Sequence, residues 1–409
     1  MQKNVKIMPR IILNIIIIFF LIFSSCTEKI SRLDFHSSRN AGESFLFADK
    51  DNVYMSWIES DSSKNYLYYS KLEKNIWSKK ELIIEGNDWF INWADFPSIS
   101  INQTTGIMIA HYLKKSHDLT FSYDVKYLIK NKKWSKEKFL HSDNTKSEHG
   151  FVSINPYKDG FIASWLDGRN TDYMKKEMNE MHSSGPMSLR SAIINSKGEI
   201  VKEYEIDDKV CDCCQTSITI SNDIPIVAYR DRSDKEIRDV SISKLEKDIW
   251  TKPININDDG WKIYGCPVNG PSIKSVGNNI AVAWFTISNG LASINLKYST
   301  NGGETFGELI KVNEEDSKPL GRIDLEMLDD GSVIVSWINV YDGKGKIALR
   351  KIKQDGKKGE IINPATISTK RISGFPQIEK FKKNLILSYT NEIESFKKIE
   401  SLKIPLKMF

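Results

Sequence analysis

A two-residue signature returns seven times along this chain, and its spacing is the strongest constraint on the fold. A small residue followed by an aromatic residue or His closes an apolar run at Ser56-Trp57, Ala110-His111, Ser164-Trp165, Ala228-Tyr229, Ala283-Trp284, Ser336-Trp337 and Ser388-Tyr389. Successive second members lie 54, 54, 64, 55, 53 and 52 residues apart. A turn signal stands ahead of each pair, as at Asp51-Asn52, Thr105-Gly106, Asp159-Gly160 and Asp330-Gly331. Before each turn is another short run of β character, such as Pro97–Ile101 or Pro271–Ser275. Each copy therefore reads as strand, tight turn, strand. Tyr66–Ser70, Val125–Ile129, Val240–Ser243 and Leu296–Ser299 read as third strands, and fourth strands are expected to start at Trp77, Trp134 and Trp250.

Four strands at a period of about 50 residues predict an all-β protein, a β-propeller of four-stranded blades. One blade cannot bury both faces, so neighbours must cover each other, and the aromatic of each pair is expected to pack between blades. Seven units favour seven blades, with six the alternative if a terminal unit is not a full blade. The last copy offers Pro376–Lys380, Leu385–Thr390 and Ser395–Leu402, with almost no chain left for a fourth strand. The segment Ile30–His36 is expected to supply it, which closes the ring and leaves no open sheet edge.

Lys3, Lys6 and Arg10 precede an apolar run, Ile11 to Phe23, interrupted only by Asn14. That is short for a membrane span and has the layout of a signal peptide. Ser24-Ser25-Cys26 after it resembles a bacterial lipobox, which implies cleavage before Cys26 and lipidation of that residue. The expected organisation is a signal peptide over 1–25, a lipid-anchored tether and closing strand over 26–40, and the propeller over 41–409. The expected location is the bacterial cell envelope, membrane-anchored and facing the periplasm or the exterior. The chain carries 58 basic and 53 acidic residues, net +5, a balance that does not suggest a nucleic-acid partner.

Ser299-Thr-Asn-Gly-Gly-Glu-Thr-Phe306 resembles the Asp-box hairpin of the sialidase (BNR-repeat) superfamily, with Asn301 in place of the Asp. The seven-residue offset recurs from Ser70 to Trp77, Tyr127 to Trp134 and Ser243 to Trp250. The resemblance implies a propeller and a glycan context. It does not carry over the family's catalytic residues, because the Arg-Ile-Pro motif of the first blade is absent. Trp165-Leu-Asp-Gly-Arg169, Cys211-Asp-Cys-Cys-Gln-Thr216, Tyr229-Arg-Asp-Arg232 and Gly265-Cys-Pro-Val-Asn-Gly-Pro271 together resemble exported bacterial proteins labelled sialidase-like.

Second-to-third loops and between-blade loops share one face of a propeller, and the chemically notable residues fall there. Arg169, Arg230, Arg232 and Arg322 are candidates to grip an acidic or decorated glycan, because the guanidinium fork matches a carboxylate. Trp261 is a candidate sugar platform, as are Trp89 and Trp93. Asp167, Asp231 and Asp259 are candidate acid/base groups, since glycosidases place carboxylates on both sides of the scissile bond. If the chain is an enzyme, an exo-acting glycosidase is expected. The same pattern also suits an Arg–Asp network that ties long loops together, leaving a non-catalytic glycan- or protein-binding module. Thr171–Gly185 is a polar, Met-rich insert suited to a lid or a surface excursion.

Four cysteines remain after Cys26: Cys211, Cys213, Cys214 and Cys266. An even number outside the cytoplasm favours disulfides. Cys211 with Cys214, or either with Cys266, are the expected pairings. The alternative is a thiolate site for copper or zinc, and no other cofactor is expected. The six His are scattered and form no motif.

Overall fold

The computed structural model describes residues 29–38, 40–171, 185–393 and 396–409. These residues build seven antiparallel sheets arranged as a ring, a seven-bladed β-propeller. Each blade starts with a strand at the central axis and steps outward. The inner strands are Ala41–Ala48, Ile99–Asn102, His149–Tyr157, Ser217–Ser221, Ser272–Val276, Pro319–Met327 and Gln377–Phe381. Each touches the next in order, and the seventh touches the first.

The ring closes as the sequence predicts. Ser31 and Arg32 pair with Lys403 and Leu402, so Ser31–Arg32 forms the outer strand of blade 7. Leu33 follows, donates its N–H to the Ser401 carbonyl, and is buried against Trp57 and Ile399 of the interface between blades 7 and 1. Cys26 and the insert between Thr171 and Gly185 fall outside the described residues.

Seven buried apolar clusters fill the seven blade interfaces, one in each. Trp57, Trp165, Tyr229, Trp284, Trp337 and Tyr389 each face the preceding blade. Blade 2 departs from the expectation. Met108, Ala110 and Tyr112 face blade 1, whereas Ile107, Ile109 and Leu113 face blade 3, so Tyr112 and not His111 takes the aromatic position. Strand side chains alternate between faces, and a one-residue slip in reading the repeat assigns the wrong face. His111 is fully buried, bonded through Nδ1 to Ser98 at 2.9 Å, and burial pulls its pKa down to about 3, so it stays neutral.

The fourth strands also differ from expectation. Trp77 and Trp250 sit in two-residue bridges, Ile76–Trp77 and Ile249–Trp250. The outer strands resume later, at Glu81–Gly86 and Ile254–Asn255. The Trp must turn inward to plug the blade, and the next residue caps the hairpin. Ser70 Oγ donates to the Ser78 carbonyl at 2.8 Å, and Ser243 Oγ to that of Thr251 at 2.7 Å. At Ser299–Phe306 the Gly303 N–H donates to Ser299 Oγ at 2.9 Å and the Thr305 N–H to Asn301 Oδ1 at 3.1 Å. Gly303 holds φ 82°, which glycine adopts without a Cβ penalty.

Candidate functional site

The polar tip of a core aromatic meets a carboxylate in six blades. Trp57 donates to Glu59, Tyr112 to Glu137, Trp165 to Asp167, Tyr229 to Asp207, Trp284 to Asp259 and Tyr389 to Glu400. A buried indole N–H or phenol needs an acceptor, and these acids provide it. Two of the three candidate acid/base groups belong to this set. Asp167 ends the strand Gly160–Asp167, fully buried, and receives the Trp165 N–H at 2.8 Å and the Arg169 Nε at 2.8 Å. Burial alone would raise its pKa, but the Arg169 partner and His149 hold it below the usual carboxylate range. Asp259 receives the Trp284 N–H at 2.6 Å and the Asn257 amide at 2.6 Å. Asp231 stands apart in blade 4. It accepts the Arg232 N–H at 2.6 Å and Ser241 Oγ at 3.2 Å, and burial with Asp207 nearby raises its pKa.

The arginines do not form a clamp. Arg230 is 1% exposed, and its guanidinium donates to the carbonyls of Asn269, Arg238 and Phe285. It lies over the ring of Trp261 at 4.9 Å. Trp261 is itself buried, edge-on to Phe285 within the interface of blades 5 and 6. Arg322 lies within the strand Pro319–Met327, not in a loop, at a bulge with φ 54°. Its donors reach Ser373 Oγ and the carbonyls of Thr369, Lys370 and Gly374, and burial with Arg371 nearby lowers its pKa to about 10. Arg232 binds Asp212 and Glu236 in its own blade. Four of the five N–H groups of Arg230 are used on backbone carbonyls, which leaves at most one for a ligand.

A polar cluster that the sequence signalled only at Asp167 and Arg169 lies between blades 2 and 3. His141 and His149 stack at 3.6 Å, within 4° of parallel. Around them run Asp124, Asp143, Asp167 and Arg169. His141 Nδ1 is 2.6 Å from Asp143, and His149 Nε2 is 3.2 Å from the same carboxylate. These nitrogen and oxygen atoms are close enough to one another for a metal set. Parallel rings, however, aim their lone pairs side by side rather than at one ion. The arrangement therefore reads as a ladder of stacked rings and hydrogen-bonded carboxylates that ties the loops together. Its members come from four separate segments, so no spacing in the sequence announces it.

The axis of the ring is open. A cavity of about 620 Å³ runs between the inner strands of all seven blades. Phe45, Phe96 and Phe375 form a collar at its mouth, with Trp93 stacked on Phe375 at 5.7 Å. Below the collar hydroxyl and amide side chains such as Ser98, Ser217, Thr219 and Gln377 share the wall with apolar ones such as Val152, Ile154, Ile218 and Ile323. Deeper still, Lys274 Nζ sits 2.9 Å from both Glu326 and Glu379. Asp324 adjoins them, accepting the N–H groups of Leu325 and Ile378, each at 2.8 Å. Lys274 keeps 32% of its side-chain surface, yet it projects into a walled channel rather than bulk water. Three carboxylates around one ammonium in such a place do not all ionise. Burial pushes Asp324 up to about 6, against the pull of Lys274, and pushes Glu379 up as well. None of these residues was singled out in the sequence, because each looks like one more polar residue on an alternating strand.

Cys266 is bonded to Cys213, not to Cys211 or Cys214 as the spacing suggested. Cys211 and Cys214 face inward and are buried, which leaves half-buried Cys213 to meet the loop that carries Cys266. A soft metal ion at these sulfurs would need that bond opened to gain a third or fourth ligand.

No protein-family model matches this chain, and no curated protein matches it. Among solved structures it is similar to a protein of unknown function from Dyadobacter fermentans, at 13% identity and TM-score 0.50, over 78% of this chain and 96% of that one. It is also similar to the polysaccharide lyase Uly1, at 10% identity and TM-score 0.51, over 89% of this chain and 90% of that one. The β-propeller domain of the Trilobed protease from Pyrococcus furiosus matches at 12% identity and TM-score 0.47, over 89% and 95%. At these identities the likeness is one of fold.

Proposed function

We propose that this chain is an exported, lipid-anchored propeller of the bacterial cell envelope that binds a neutral or amine-bearing glycan in its axial channel. The observation that carries the reading is the channel itself: an aromatic collar above a wall of mixed hydroxyl, amide and apolar side chains, ending in three carboxyl groups around one ammonium. A sugar has apolar faces that stack on rings and polar edges that need many partners, and a cavity of this size suits one. The charge balance disfavours an acidic ligand there, and Arg230 and Arg322, which do not line the channel, are bonded mainly to backbone carbonyls. The Ser299–Phe306 hairpin supports a relation to the sialidase-like propellers, and Cys26 after an apolar leader supports the anchor. Binding needs no cofactor.

A second reading, exo-acting hydrolysis, is favoured by one observation. Asp324, held near 6, and Glu379, pushed up to about 8, stand with Glu326 around one ammonium, so two carboxyl groups able to hold a proton near neutral pH are close together. Calorimetric binding to panels of neutral, amino and acidic oligosaccharides tests both readings, with product release followed in parallel. Neutral or amino sugars should bind, and Phe375→Ala and Glu379→Gln should each weaken them about tenfold or more. Acidic sugars alone binding, with both variants unaffected, would return the site to the loops around Arg169 and Arg232. Release of a monosaccharide that Asp324→Asn abolishes would make the chain an enzyme.

A further inference from the structure

The four cysteines form two pairs of opposite character at the mouth of blades 4 and 5. Cys213 and Cys266 are bonded and half-buried. Cys211 and Cys214 are unbonded, buried, and 2.8 Å apart at their sulfurs. They stand at the Cys-x-x-Cys spacing, which favours a reactive thiol. The sulfurs of Cys211, Cys213 and Cys214 lie within 4.8 Å of one another, so the two pairs are within reach of exchange.

Arg238 supplies a second, independent observation. It is 1% exposed, and its Nη2 donates to Glu236 at 2.8 Å. Its Nε and Nη1 find no well-formed hydrogen-bond acceptor, the carboxylate of Asp212 is 3.9 Å from Nη1, and the Cys211 thiol stands beside the guanidinium. Unmatched N–H groups on a buried guanidinium are costly, and an anion nearby relieves that cost. Cys211 is placed to be that anion. Its burial would raise the thiol pKa, but the Cys214 thiol and then Arg238 hold it below the ordinary thiol range, while Cys214 is pushed above it.

We propose that these four cysteines are a two-electron thiol–disulfide relay, in which the buried Cys211/Cys214 dithiol reduces the half-buried Cys213–Cys266 disulfide. The Cys211 thiolate attacks the Cys213 sulfur. A Cys211–Cys213 bond forms, the Cys213–Cys266 bond breaks, and Cys266 leaves as a thiolate. Cys214 gives its proton to that leaving thiolate and attacks Cys211. The Cys211–Cys214 bond forms and Cys213 is released as a thiolate. One disulfide is lost and one is made, two electrons pass from the inner pair to the outer pair, and no outside oxidant enters. The outer dithiol is then placed to reduce a disulfide of a partner, which takes up both electrons. A brace alone needs one bond between two loops. It does not need a buried dithiol with a guanidinium against one sulfur.

The test uses the full chain in detergent, oxidised in air and then given one equivalent of a phosphine reductant. Acid quench, alkylation after unfolding and mass-spectrometric mapping give the pairing in the singly reduced protein. Both Cys213–Cys266 and Cys211–Cys214 should be found, each in at least about a tenth of the molecules. Alkylation of the folded protein should tag Cys213 and Cys266 and drain the mixture into Cys211–Cys214. The Arg238→Gln variant, which keeps all four sulfurs, should slow reduction of an aromatic disulfide reagent about tenfold at neutral pH and move the rate's midpoint to higher pH. A single pairing with thiols inert until unfolding would overturn the relay in favour of a static brace. Stoichiometric copper or zinc on the sulfurs would overturn it in favour of a metal site.

Discussion

Arg230 is a residue whose chemistry is decided by what surrounds it. Its sequence neighbours Asp231 and Arg232 suggest a ligand clamp, yet its guanidinium holds three backbone carbonyls beneath the ring of Trp261. Replacing it with Met strands those carbonyls in the interior, and the expected loss is about 3 kcal/mol or more of unfolding free energy. Urea unfolding measures it, and an unchanged midpoint with lost ligand binding would restore the clamp. Asp259 poses the same choice. As the acceptor of the Trp284 N–H it should lose about 1–3 kcal/mol on Asp259→Ala, with ligand affinity little changed. A drop in any turnover of a hundredfold or more at wild-type stability would make it catalytic instead.

Individual elements carry devices that the repeat repeats imperfectly. The hairpin from Ser299 to Phe306 depends on Ser299 Oγ accepting the Gly303 N–H, so Ser299→Ala should cost about 1 kcal/mol, seen as a small drop in melting temperature. The loop through His141 and His149 makes stability depend on pH, and two groups work in opposite directions. Burial alone would lower the His141 pKa, but Asp124 and Asp143 outweigh it and raise it. Its contribution is therefore full below the unfolded value near 6.5 and is lost as pH rises through the raised folded value. Asp143 and Asp167 are held low against burial, chiefly by their His and Arg partners, so their contribution is present above about 4 and is lost as pH falls further. Maximal stability is expected on the acid side of neutrality, and His141→Asn should flatten the decline as pH rises above about 6.5. A decline unchanged in that variant would take the effect away from this ladder.

The whole molecule stands or falls on closure of its ring. The outer edge of blade 7 is covered by only two paired residues, Ser31 and Arg32, with Leu33 anchored behind them. Leu33→Ala should cost about 2–5 kcal/mol, as a buried Leu does elsewhere. Removing residues up to 36 should do more: it bares the strand Phe396–Pro405, and light scattering should report association through that edge. The seven-fold period, the closing strand, the hairpins and the interface aromatics were all legible in the chain, because alternation and turn chemistry act between near neighbours and survive repetition. The slip in blade 2 was not, since Ala110-His111 and His111-Tyr112 differ only in which face each presents, and only packing against blades 1 and 3 decides that. The bonding of Cys213 to Cys266, the ladder of His141 and His149, the occupation of Arg230 and Arg322, and the group of Lys274, Asp324, Glu326 and Glu379 on the axis all join residues from different segments or blades. Their chemistry depends on distance and burial across the ring. Those quantities exist only once seven separate stretches of chain have been brought around one axis.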